Sequence, residues 1–163
     1  MCQHLPPAVT ASLILRPIAR QRGLRLVEQG PRRYLGHDDA GRGRVLMRPD
    51  IALLDVDGRP VAILDTKWKR LEAHDPLSGL SSADLYQMAS YAAAYRCRTV
   101  ALLYPEQVAL SAGQTPRLSL DGLFQATLAL QAIPVENRLG EALRRALDAA
   151  LISGRPMALE NQR

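Results

Sequence analysis

Three residues have the types and spacing that hydrolytic chemistry needs: Asp50, Asp65 and Lys67. Residues 45–56 (VLMRPDIALLDV) and 61–67 (VAILDTK) are apolar runs joined through Asp57-Gly58. Asp-Gly between two such runs is a strong hairpin signal. If Asp57-Gly58 is a two-residue turn, Val56 pairs with Arg59. Counting back along both strands then sets Asp50 directly across from Asp65, with Cβ atoms about 5 Å apart. Lys67 lies two residues beyond Asp65 and emerges on the same face. One residue more or less in the loop would break this alignment.

Two carboxylates at that separation repel, and a cation must relieve them. Mg²⁺ held through one or two carboxylates, with several waters retained, fits such a pair; Mn²⁺ is a candidate substitute. The peptide carbonyl of Thr66 is a candidate additional ligand. Lys67 would then hold, or help to deprotonate, a metal-activated water. This is machinery for phosphodiester hydrolysis: metal charge offsets the phosphate, the water attacks, and the lysine steadies the nucleophile or the developing charge. The competing reading is an ordinary exposed ion pair between Asp65 and Lys67. Charges inside apolar strand runs argue against it, because an unpaired charge there is costly.

The cation composition points to the same place. Of 21 Lys and Arg residues, 19 are Arg, and the two lysines are Lys67 and Lys69, with the single tryptophan, Trp68, between them. Arg stays protonated, whereas a lysine is a compact donor whose pKa can shift. The net charge of +5 is also uneven. Residues 1–70 carry 13 cations against 7 anions, and residues 71–163 carry 8 against 9. A polyanion partner fits a basic first half. Arg42, Arg44, Arg48, Lys69 and Arg70 are candidates for phosphate contacts, which position a duplex without reading its sequence; ordinary solvated surface is the alternative for each.

The elements that must position these residues follow from pattern. Residues 1–12 read as an irregular leader. Residues 13–22 are helix-like, although Pro17 disfavours a helix interior. Residues 24–29 alternate as a strand before a Gly30-Pro31 turn. Residues 36–44 (GHDDAGRGR) read as a flexible basic loop, lacking the spacing of a phosphate cradle. The runs 45–56 and 61–67 are apolar on both faces, as in a central sheet covered on each side. Residues 71–80 form a loop. Residues 82–96 form a helix with Ser81 or Ser82 as N-cap and Asp84 in its first turn. On that helix Gln87 and Tyr91 are four residues apart and share a face, so Gln87 can approach the acidic pair and orient a water or phosphate. Residues 99–104 are a buried strand stopped by Pro105, 123–133 read as a further strand, with a short helix over LFQATLALQA as the alternative, and 138–152 is an amphipathic helix. The expected architecture is one α/β domain over 13–155 with a mixed central sheet flanked by helices, followed by a tail at 156–163.

Composition excludes several classes. Hydrophobic content of 47% with 23% charge describes a globular domain rather than a disordered chain. No apolar run reaches the roughly 18 residues of a membrane span, and no signal-peptide pattern opens the chain. Two cysteines, Cys2 and Cys97, exclude a disulfide framework and favour a reducing cytoplasm. Cys97 lies between Arg96 and Arg98 at a helix end, either reactive or merely structural. His4, His37 and His74 have no metal-ligand spacing.

Arg48-Pro49-Asp50, Ile63-Leu64-Asp65-Thr66-Lys67-Trp68-Lys69, Ala83-Asp84-Leu85-Tyr86-Gln87-Met88 to Tyr91, and Leu102-Leu103-Tyr104-Pro105 together resemble the PD-(D/E)XK nuclease superfamily. More narrowly, over about residues 13–152, they resemble McrC-type nucleases, the cleavage subunits of McrBC modified-cytosine restriction systems. The resemblance implies a restriction-endonuclease-like core, Asp50 and Asp65 as metal ligands, and Lys67 as the catalytic lysine. It makes Gln87 and Tyr91 the helix motif that follows the core. It also implies Mg²⁺-dependent DNA cleavage and a partnership with an McrB-like AAA+ GTPase that recognises modified cytosine. Two features differ. Such proteins are about twice this length, so an N-terminally truncated chain is expected. They also usually carry an acidic residue on the helix before the core sheet, where Leu13 to Arg20 offers none and Leu15 takes the nearest place. A non-catalytic nuclease-fold module that binds DNA or a partner, and a repair or recombination nuclease of the same superfamily, are the alternative readings.

Overall fold

The computed structural model describes residues 7–71, 75–108, 110, 115–121 and 125–133. The expected helix at 138–152 and the tail lie outside the described residues. Helix α1 spans Pro7–Gln21 and is followed by strands β1 (Arg25–Glu28), β2 (Arg33–His37), β3 (Gly43–Met47), β4 (Ile51–Leu54) and β5 (Pro60–Thr66). Helix α2 (Ser82–Tyr95) then leads to β6 (Thr99–Pro105), β7 (Arg117–Leu120) and β8 (Ala126–Ile133). Six strands form one sheet in the order β1-β4-β5-β6-β8-β7, while β2 and β3 form a separate pair. The first three strands and β7 pair antiparallel, whereas β5, β6 and β8 run parallel. Parallel pairing of β5 and β6 requires a crossover, which α2 supplies. The expected mixed α/β core with helices against its sheet is the architecture found.

Alternation along the strands sorts the core into two layers. Val100, Leu102 and Tyr104 of β6 pack with Met88, Ala92 and Tyr95 of α2. Ala101 and Leu103, on the opposite face, pack with Leu15, Ile18 and Ala19 of α1. Ile63 belongs to the α2 layer, and Leu64 to the α1 layer. The central strands β4, β5 and β6 are therefore largely apolar because both faces are covered.

The hairpin between β4 and β5 reaches the expected alignment by a different turn. Asp55 and Arg59 close it: the Asp55 N–H donates to the Arg59 carbonyl at 2.9 Å, and the Arg59 N–H to Asp55 Oδ1 at 2.8 Å. Gly58 takes φ +77°, a left-handed conformation that glycine adopts without steric cost. Val56 is exposed at the tip and does not pair with Arg59. Leu54 pairs with Pro60, and an irregularity between Leu53 and Leu54 shifts the register, so that Leu53 meets Ala62 and Ile51 meets Leu64. The wider turn and the bulge cancel, leaving the register that a two-residue turn would have set.

Other expectations change for local reasons. The run 45–56 is two strands, not one. Pro49 has no N–H for a ladder, and the chain breaks over Arg48-Pro49-Asp50 between β3 and β4. The stretch 36–44 is not a flexible loop but the tip of the β2–β3 hairpin. Asp38 Oδ1 accepts from the N–H groups of Ala40 (3.1 Å) and Arg42 (2.9 Å), building the turn from a side chain. Helix α1 begins at Pro7 rather than 13, within the expected leader, and carries Pro17 on its exposed face. Strand β7 is an unanticipated short edge strand with alternating burial.

Candidate active site

Asp50 and Asp65 stand at the same end of the β4–β5 ladder. Ile51 lies opposite Leu64, so Asp50 is the next residue back along one strand and Asp65 the next forward along the other. Ala52 and Ile63 belong to the α2 layer, and alternation gives Asp50 and Asp65 the same face. Asp50 is outside the β4 strand but not loose. Its carbonyl accepts from the Gln29 N–H at 2.9 Å, extending the β1–β4 pairing. Its Oδ2 accepts from the Thr66 N–H (2.9 Å) and Oγ1 (2.6 Å), and its Oδ1 from Gln29 Nε2 (3.2 Å). Arg48 Nη2 donates to Gln29 Oε1 at 2.7 Å, which orients the amide toward Asp50.

Asp65 is buried, and its Oδ2 lies 2.7 Å from Lys67 Nζ. The parallel ladder carries on past β5: the Lys67 N–H donates to the Leu103 carbonyl at 2.8 Å. Lys67 is thereby fixed at the backbone while its ammonium meets α2. There Nζ donates to Gln87 Oε1 at 2.8 Å and lies 3.6 Å from Asp84 Oδ1. Gln87 Nε2 in turn donates to the Tyr91 hydroxyl at 3.2 Å.

Helix α2 can present this row because its first turn is strongly capped. Ser81 has extended backbone (φ −79°, ψ 150°), and its hydroxyl accepts from the Asp84 N–H at 3.1 Å. Asp84 reaches back to the Ser81 N–H, completing a capping box. Asp84, Gln87 and Tyr91 then follow at helical spacing on the face toward β5. Asp84 Oδ2 also pairs with Lys69 Nζ.

Charge and burial set the protonation states. Burial pushes the Asp65 carboxyl above the usual carboxylate range, helped by the charges of Asp50 and Asp84 and opposed by Lys67. Burial pulls on Lys67 in the opposite sense, but Asp65 and Asp84 more than offset it and hold the ammonium above the ordinary lysine value. Lys67 is thus a cation that donates, which favours holding a water or phosphate over removing a proton. Burial raises the Asp84 carboxyl, but Lys69, Ser81 and Lys67 outweigh it, leaving Asp84 below the usual range. Burial likewise raises the Tyr91 hydroxyl.

The Asp84 shift has a sign that can be tested. A carboxyl depressed in the folded state contributes stability above its unfolded pKa of 3.8, and loses it as pH falls through the folded value. Asp84→Asn is therefore expected to lower the melting temperature at pH 7 and to flatten the loss of stability below about pH 4. Thermal melts at several pH values would show this; parallel curves for both proteins would contradict it.

The candidate residues fall into two groups. Asp65, Lys67, Gln87 and Tyr91 form one bonded chain, to which Lys69 is tied through Asp84, and Asp50, bonded to Thr66 and through Gln29 to Arg48, adjoins it on the same face. Arg42 and Arg44 instead converge on Asp38, at 2.9 and 2.7 Å, on the separate β2–β3 pair. Arg70 is exposed just after Lys69. Leu15 is 2% exposed in the α1 layer, the face opposite the acidic pair, so α1 places no carboxylate there. Among the described residues no group of three or more His, Cys, Asp or Glu side chains is placed to hold a metal.

Sequence reasoning missed two participants and one neighbour. Asp84 was assigned only to the helix start, although its spacing three residues before Gln87 signals a shared face. Gln29 carried no local signal, because its contact with Asp50 spans 21 residues. Tyr104 continues the β5–β6 register opposite Lys67, and its buried hydroxyl has no hydrogen-bond partner among the described residues.

Cys97 is structural. It is 1% exposed, its Sγ donates to the Thr99 carbonyl at 3.2 Å, and burial pushes its thiol up to about 11. In a Cys2→Ser background, the native protein is expected to resist thiol-specific labelling at pH 8 and to label fully in denaturant. Rapid native labelling would refute this.

The fold and site together define a mixed α/β core with an acid pair and a lysine at one end of its central strands, completed by a following helix. The family model described as McrBC 5-methylcytosine restriction system component matches residues 12–105, which contain every member of that network. The chain belongs to that family. No curated protein matches it. Among solved structures it is similar in fold to a chain of the refined half-complex from a tetradecameric assembly of Thermococcus gammatolerans McrB AAA+ hexamers with bound McrC. That match has a TM-score of 0.57 at 11% identity, and covers 83% of this chain but 31% of the other. This chain therefore spans about a third of that solved chain. No helix among the described residues is long and apolar enough to cross a membrane.

Proposed function

We propose that this chain is a PD-(D/E)XK nuclease domain of McrC type. It would hydrolyse phosphodiester bonds of modified-cytosine DNA in the cytoplasm, together with an McrB-like AAA+ GTPase. One observation carries the reading: Lys67 Nζ lies 2.7 Å from the buried Asp65 Oδ2 and donates to Gln87 Oε1 of α2 at 2.8 Å, with Asp50 on the same face at the same end of the β4–β5 ladder. Family membership and the likeness to a chain of an McrB–McrC assembly support the restriction context and the partner.

The donor set fits a divalent ion. Two carboxylates with hard oxygen donors share one face, and Mg²⁺ is commonly held by one or two carboxylates plus waters. Asp50 and Asp65 would hold it, with the Thr66 carbonyl as a candidate third oxygen, and Mn²⁺ could substitute. When bound, the ion supplies charge that offsets the phosphate and lowers the pKa of a coordinated water. The chain does the rest. Thr66 and Gln29 fix the orientation of Asp50. Lys67 directs an N–H toward the nucleophile or the phosphate oxygen, and Gln87 holds Nζ in that position. Arg48, Lys69 and Arg70 would contact flanking phosphates, and Arg42 and Arg44 would do so from the β2–β3 tip.

The test is cleavage of cytosine-methylated plasmid by the chain with Mg²⁺ or Mn²⁺, with and without the GTPase partner and GTP. Ion-dependent cleavage supports the reading. A folded chain that binds no divalent ion in calorimetry and cuts under no condition supports the second reading, a non-catalytic nuclease-fold module. The observation favouring that second reading is α1, which carries no acidic side chain at all.

A further inference from the structure

Trp68 follows Lys67 directly, yet it is 58% exposed. It opens onto a cleft of about 590 Å³ between the segments that leave β5 and β6, within the range of ligand clefts. Trp68, Lys69 and Arg70 line one side, and Glu106, Gln107 and Val108 the other. Gln107 locks the two sides together. Its Oε1 accepts from the Leu71 N–H at 2.7 Å, and its Nε2 donates to the carbonyls of Lys69 (3.4 Å) and Pro105 (3.3 Å). The cleft is thus braced by side-chain bonds to backbone rather than left to loop packing.

We propose that this cleft binds one nucleotide of a DNA strand, with its base stacked on the Trp68 indole and its phosphate beside Lys69 and Arg70. The inference rests on the nuclease reading and deepens it. An exposed aromatic next to cations is the combination that holds single-stranded nucleic acid, because every base has a stacking face and every nucleotide a phosphate. Among the described residues, Glu106 is the one carboxylate lining the cleft, against two cations. Lys69 also connects the cleft to the site. It pairs with Asp84 Oδ2, while Asp84 Oδ1 lies 3.6 Å from Lys67 Nζ. A strand with one phosphate at Lys67 would therefore place a neighbouring nucleotide at the indole.

Trp68 is the single tryptophan of the chain, so tryptophan emission, excited where the five tyrosines do not absorb, reads this cleft alone. The experiment titrates the full chain in EDTA, which prevents cleavage, with a short oligothymidylate, following tryptophan emission. A separate titration with a fluorescein-labelled copy gives affinity from anisotropy. Emission should be quenched over the concentration range in which anisotropy rises. An abasic oligonucleotide should bind about tenfold more weakly and leave emission unchanged. Trp68→Ala should lose a similar factor, and Trp68→Phe should retain most of the affinity. Binding without quenching, at an affinity indifferent to Trp68→Ala, would overturn the stacking site and leave DNA binding intact. No anisotropy change at all would overturn both the site and the DNA reading it rests on. Emission that ignores DNA but shifts on adding the GTPase partner would make the cleft a protein contact and also overturn the proposal.

Discussion

Lys67→Met should lower DNA cleavage by about 10²–10⁴-fold at saturating divalent ion, the usual effect of removing a positioned donor or proton-transfer group. Methionine keeps an unbranched apolar stem but has no donor and no charge. The Nζ contacts that vanish are those to Asp65 at 2.7 Å and Gln87 at 2.8 Å. The buried Asp65 then loses its counter-charge, so without metal the variant should also lose about 1–3 kcal/mol of stability. Lys67→Arg separates the two effects. It keeps the charge, but a planar guanidinium cannot reproduce a compact ammonium held between Asp65 and Gln87. Arginine should restore much of the melting temperature and little of the cleavage. Initial rates on plasmid, with melts of the same proteins, would decide. An undiminished rate for a folded Lys67→Met variant would remove Lys67 from the reaction.

Asp65→Asn should weaken Mg²⁺ or Mn²⁺ binding at least tenfold and reduce cleavage accordingly. The substitution keeps shape and removes one hard anionic donor at a buried position. Asp50→Asn should act in the same direction: its amide oxygen can still accept from the Thr66 N–H and Oγ1, while its Nδ2 faces Gln29 Nε2 and loses that bond. Loss of binding in both variants would put the two carboxylates on one ion. Unchanged affinity in Asp65→Asn, measured by calorimetry, would show that the ion sits elsewhere. In EDTA the Asp65→Asn protein should melt within about 1 kcal/mol of the wild type. Burial already disfavours the Asp65 carboxylate, and Lys67 retains Gln87 and Asp84 as partners.

These expectations depend on features of unequal legibility. The acid pair and the lysine could be read because alternation along a strand is a local property: Asp65 and Lys67 share a face whatever surrounds them. The same holds for Gln87 and Tyr91 at helical spacing. The facing of Asp50 and Asp65 was legible for a subtler reason. The true turn is wider than Asp57-Gly58 implies, and the bulge at Leu53/Leu54 absorbs the difference. Burying both faces of β4 and β5 tolerates no net one-residue slip, so the register survived an error in the turn.

By itself, then, the sequence determined the mixed α/β class, the apolar central strands, the site's strand residues and the helix face that meets them, all through periodicities that span a few residues. Only the tertiary structure decided which groups complete the site. Asp84 joins because a capping box anchors α2 at the level of Lys67 and Lys69. Gln29 joins because β1 runs beside β4. Leu15 stays in the opposite layer because α1 packs on the other face of the sheet. These contacts join residues far apart in the chain, and their geometry follows from how layers pack rather than from any local repeat.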